Sequence, residues 1–85
     1  MQLASRMEYA IGLADPDFRG EGEDIFKLAS LVDEIAQLRQ RGAVENSELD
    51  EQFCAAIKAA YRVNGVFRHE LESFPSAKKL VAEMP

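Results

Sequence analysis

The chain has 85 residues, a net charge of −5, and 47% hydrophobic against 29% charged residues. That length holds one domain with one core, and the apolar content is too high for a disordered chain. The acidic balance provides no general attraction to nucleic acid or to anionic membranes.

A single cysteine, Cys54, excludes an internal disulfide. It fits a reducing compartment, so a cytoplasmic location is expected. No uncharged run exceeds six residues (9–14 and 52–57), far short of a bilayer span. Near the start, Glu8 interrupts the apolar patch that follows Arg6, and the patch is too short for a signal peptide. A domain this small hides only about 60–65% of the surface its unfolded form exposes, so its stability margin is thin.

Along the chain, Leu3, Met7, Ala10, Ile11 and Ala14 recur at helix spacing, although Met7, Tyr9, Ile11 and Leu13 also alternate as in a strand. Helix-favouring composition, and the lack of a second strand-like run to pair with, decide for helix. From Asp24 to Arg41, the residues Ile25, Leu28, Ala29, Leu31, Val32, Ile35, Ala36 and Leu38 fall on one side of a helix of about 27 Å. Gly42 tolerates a left-handed stop. The apolar side is wide enough to meet two neighbours.

The next helix starts at Asn46 or Ser47, either of which accepts a backbone N–H, with Glu48, Asp50 and Glu51 at the positive end of the dipole. Its stripe is Leu49, Phe53, Ala56, Ile57 and Ala60, with Tyr61 at the edge and Asn64–Gly65 as the stop. Val66, Phe67, Leu71 and Phe74 suggest a further short helix. Pro75 then opens another, on which Ala77, Leu80, Val81 and Met84 share a face. The expected fold is all-α, a compact bundle of four to five helices in one domain, 1–85.

The stretch DPDFRGEGED, residues 15–24, invites comparison with a calcium loop. With Asp15 first, Asp17 and Gly20 match positions three and six, but Arg19 takes the fifth place and Phe26 the twelfth. A cation and a ring where oxygen ligands belong leave turn chemistry and a helix start as the reading. No cofactor and no metal are expected. His69 and Cys54 stand on separate segments, too few for a closed zinc site and without a base–nucleophile motif between them. There is no phosphate-binding glycine loop, so an enzyme is not expected.

A helix-turn-helix reading of residues 33–60 puts Glu48, Asp50 and Glu51 where base edges and phosphates belong, and the acids repel. What remains is a protein-binding module: an inhibitor, adaptor or antitoxin-like factor that acts on another protein or on itself as a homodimer. Candidate contact residues are Phe18 and Phe26, rings among acids, with Asp33 near Phe26 by angle. Arg39 falls inside the apolar arc and calls for a pairing carboxylate, internal or on a partner. Ala55 and Ala59 would let a helix come close on a second flank, and Arg62 shares an outer face with Lys58. The alternative is a small nucleic-acid-associated regulator that uses Lys58, Arg62, Arg39, Arg41, Arg68, Lys78 and Lys79 as a local basic patch.

Overall fold

The computed structural model describes residues 3–14, 22–42 and 46–84. Among these, five helices follow one another: α1 (Leu3–Ala14), α2 (Glu23–Gln40), α3 (Ser47–Val63), α4 (Gly65–Glu72) and α5 (Pro75–Glu83). No strand occurs among the described residues. The alternation in the first segment is therefore incidental, and Met7, Ala10 and Ala14 turn their helical stripe inward. The Cα radius of gyration is 11.4 Å, close to the roughly 12 Å of a compact chain of this length, so the helices form one packed body.

The longest helix, α2, is the centre of the packing. Ile25, Leu28, Ala29, Val32, Ile35 and Ala36 are buried along it. The sequence pattern allows for two neighbours, but α2 packs against three: α1, α4 and α5. Helix α3 leans on α1 and α4 instead, burying Phe53, Ile57 and Ala60. Phe67 and Leu71 of α4, and Ala77 and Leu80 of α5, complete one apolar cluster with no buried polar side chain among the described residues. Each large side chain sealed there is worth about 1.5–3 kcal/mol relative to exposure. With no disulfide, that cluster carries the fold.

Helix ends are held by side chains. Asn46 Oδ1 accepts from the Leu49 N–H at 3.0 Å and caps α3. Gly42 takes a φ of 75°, and its N–H reaches the Arg39 carbonyl at 3.0 Å, the left-handed stop its position suggests. The Asn64–Gly65 stop works differently. Gly65 has no positive φ and opens α4; the break is made by Asn64 in an extended conformation. Its N–H donates to the Ala60 carbonyl at 3.0 Å to close α3, while its Oδ1 accepts from the Phe67 N–H at 2.9 Å to start α4.

Arg68 fastens the same corner. Its Nε donates to the Tyr61 carbonyl and its Nη2 to the Arg62 carbonyl, both at 3.0 Å. Its guanidinium lies 5.3 Å from the Tyr61 ring centroid. A cation on the last carbonyls of a helix meets the negative end of the dipole.

Replacing Asn64 with Ala removes the α4 cap. The expected cost is about 1 kcal/mol, read as a lower denaturant midpoint with an unchanged slope. An unchanged midpoint would show that Arg68 alone holds the corner.

Candidate functional site

An open depression of about 790 Å³ runs between α1 and α2. Helix α1 contributes Arg6 and Tyr9; α2 contributes Phe26, Lys27, Leu31 and Glu34. Tyr9 is 48% exposed and Phe26 56% exposed, although both are large apolar rings. They stay outside because each sits off the inward stripe of its helix: Met7 and Ala10 flank Tyr9 on the core side, and Ile25 and Leu28 flank Phe26. Phe26 also meets the half-buried Phe74 at a centroid distance of 5.9 Å and a tilt of 53°. That contact orients the ring without covering it.

Charges frame the groove. Arg6 Nε donates to Glu34 Oε2 at 3.2 Å across α1 and α2. Lys27 Nζ lies 5.5 Å from the Tyr9 ring centroid. The Tyr9 hydroxyl raises the Lys27 ammonium above its ordinary pKa, with burial opposing it and the Asp24 and Glu23 carboxylates adding lesser increases.

The residues singled out from the sequence separate in space. Phe26 lines the groove, and Phe18 lies outside the described residues. Asp33 has internal work: its Oδ1 accepts the Ala77 N–H at 2.8 Å, and its Oδ2 accepts from Gln37 Nε2 at 2.9 Å. The N-cap residue of α5 is Phe74, which has no side-chain acceptor. A carboxylate from α2 therefore caps a helix that starts more than forty residues later in the chain.

The carboxylate called for opposite Arg39 is internal, and it is Asp50. Arg39 Nε donates to Oδ1 at 2.8 Å and Nη2 to Oδ2 at 3.0 Å, a two-pronged pair that is half-buried. It joins the last turn of α2 to the first turn of α3, and each charge also suits the helix end it occupies. Ala55, Ala59 and Arg62 are exposed on a flank of α3, away from the groove lining. Val63 and Val66, at the α3–α4 corner, are 64% and 65% exposed.

Cys54 is half-buried. Burial first, and then the Asp50 carboxylate, push its thiol up against the opposing pull of Arg39. His69 is exposed on α4. Among the described residues, no three His, Cys, Asp or Glu side chains come together as metal ligands. Residues 15–21, which hold most of the calcium-loop resemblance, lie outside the described part. No described helix is long and apolar enough to cross a membrane.

Tyr9, Leu31, Val63 and Val66 are not among the contact residues that the sequence singles out. Tyr9 was visible as a ring off the inward stripe, but an aromatic off one stripe joins a second face only when its neighbour helix is known. No family model matches the chain, and no curated protein and no solved structure shows a significant match to it.

Two measurements follow from this geometry. Asp33→Ala should lower stability by about 1 kcal/mol and speed hydrogen exchange at Ala77, whereas Asp33→Asn, which keeps an acceptor, should lose less. Equal losses for the two variants would remove the capping role. Separately, Cys54 should alkylate at neutral pH more slowly than a free thiol, because its folded-state pKa is raised. The same shift makes folding stability fall as pH climbs through the unfolded thiol range, where only the unfolded chain gains a thiolate. Rapid labelling at neutral pH would overturn this account of the thiol.

Proposed function

We propose that this protein works by binding another polypeptide, without chemistry of its own, through the groove between α1 and α2. The observation that carries the reading is the pair of aromatic rings, Tyr9 and Phe26, both about half exposed and both on the wall of one groove. Rings of this kind, held by a rigid scaffold and rimmed by charge, are the side chains on which binding energy concentrates. Leu31 adds an apolar side chain to the lining. An inhibitor, an adaptor or an antitoxin-like factor all act this way, and all suit a chain of this size.

The raised Cys54 thiol and a histidine on a different helix supply no activated nucleophile–base pair. For the rival reading, a nucleic-acid-associated regulator, two of the seven cations involved are engaged inside the chain. Arg39 is gripped by Asp50, and Arg68 is spent on the end of α3. That weakens any continuous basic face.

Immobilised wild-type chain, used as bait in the native host extract, should retain a partner that Phe26→Asp and Tyr9→Asp lose. A ring of this type should cost about 2 kcal/mol or more on truncation, roughly thirtyfold in affinity. Val66→Asp, on the α3–α4 corner, is the control and should retain it. Helix content by circular dichroism should stay the same in all three, since each replaced side chain is exposed. Retention by Phe26→Asp and Tyr9→Asp, with loss in Val66→Asp, would move the docking surface to the other side. Nucleic acid recovered in a complex that weakens steeply with salt would favour the regulator.

A further inference from the structure

We infer that Asn64–Gly65, the corner between α3 and α4, is a self-modification site that the folded chain holds latched. Asparagine is a thermolabile residue, and a following glycine puts no side chain in the way of its reaction. The Gly65 nitrogen gives up its proton and attacks Asn64 Cγ. A new C–N bond forms, the side-chain nitrogen leaves as ammonia, and a cyclic succinimide results. Water then opens the ring. Cleavage at Cγ leaves aspartate at 64, whereas cleavage at the main-chain carbonyl leaves isoaspartate, with the chain rerouted through Cβ. Nothing is oxidised or reduced, and water is the only co-reactant.

The fold does not ask for glycine at this place. Gly65 has no positive φ, and an added Cβ would meet nothing within 4 Å. It opens α4, where alanine is the better helix former. What glycine brings to the corner is an unshielded nitrogen beside Asn64. Gly65 is exposed and Asn64 half-buried, so water reaches the pair.

The native geometry keeps the ring from closing. Asn64 Oδ1 accepts the Phe67 N–H at 2.9 Å, which ties the side chain to the first turn of α4. A ψ of 100° at Asn64 turns the Gly65 nitrogen away from the Cβ side, and closure needs both on one side. Arg68 holds the rest of the corner. Its N–H donates to the Asn64 carbonyl at 3.0 Å, and its side chain grips the Tyr61 and Arg62 carbonyls. Closure therefore waits for the first turn of α4 to let go, a local opening of an eight-residue helix that buries two side chains. Asn46 is an internal comparison: its Oδ1 caps Leu49 in the same way, but serine follows it. The two products differ in consequence. Aspartate at 64 keeps the capping acceptor. Isoaspartate takes the carbonyl that receives the Arg68 N–H out of the main chain, so the α3–α4 corner cannot re-form.

The purified full chain, kept in warm, mildly alkaline buffer with and without urea, tests this by mass spectrometry of the peptides holding Asn46 and Asn64. In urea, Asn64 should convert well ahead of Asn46 and yield both products. In the folded chain its loss should be at least about fivefold slower, the worth of the cap alone. Arg68→Ala should narrow that gap with helix content unchanged and Asn46 unmoved. Gly65→Ala should fold and, in urea, fall to the rate of Asn46. A wild-type series below the urea midpoint tests the latch without any variant: Asn64 loss should rise in step with hydrogen exchange at the Phe67 amide. Equal rates in the folded and unfolded chain overturn the inference. So does a folded Arg68→Ala chain that reacts no faster, a Gly65→Ala chain that reacts as fast as wild type, or Asn64 loss that ignores opening at Phe67.

Discussion

Burial of one face of α2 is the constraint on which the rest of this structure depends. Its six buried residues, Ile25 to Ala36, meet α1, α4 and α5. No other helix touches as many neighbours through so long an apolar stripe. A chain of 85 residues with one cysteine has no covalent staple to fall back on. Because three helices converge on α2, the face that sequence periodicity shows as wide is used up internally. The unused apolar surface lies elsewhere, at rings and valines off the inward stripes.

Around that core, polar side chains decide where helices start and stop, and several act across elements. Asp33 of α2 caps α5, Arg68 of α4 closes α3, and Arg39 of α2 grips Asp50 of α3. Each link satisfies backbone or charge at a helix end that its own element leaves open. Together they place charge at the seams and keep it out of the core, which has no buried polar side chain among the described residues. The same arrangement withdraws Asp33 and Arg39 from the surface available to a partner. Phe26 and Tyr9, by contrast, stay about half exposed.

The functional reading follows from that remainder. Tyr9 and Phe26 stay about half exposed on α1 and α2 and line one groove, and the proposed docking surface is built on them. Burial, and then the Asp50 carboxylate, push the Cys54 thiol above its ordinary pKa.

Local pattern by itself determined the helical class, the four periodic segments, their inward stripes and most of their ends. Spacing at 3.6 residues and a cap such as Asn46 are properties of a single element, requiring no neighbour to be recognised. It also identified Phe26 as a ring on a polar side, and Arg39 as a cation in need of a carboxylate. Only the tertiary structure decided that the carboxylate is Asp50, that Asp33 serves α5, and that Tyr9 stands on the same groove as Phe26. Those are relations between side chains far apart in the chain. Which of them meet depends on how the helices pack, and periodicity within one helix holds no information about the angle at which it meets the next.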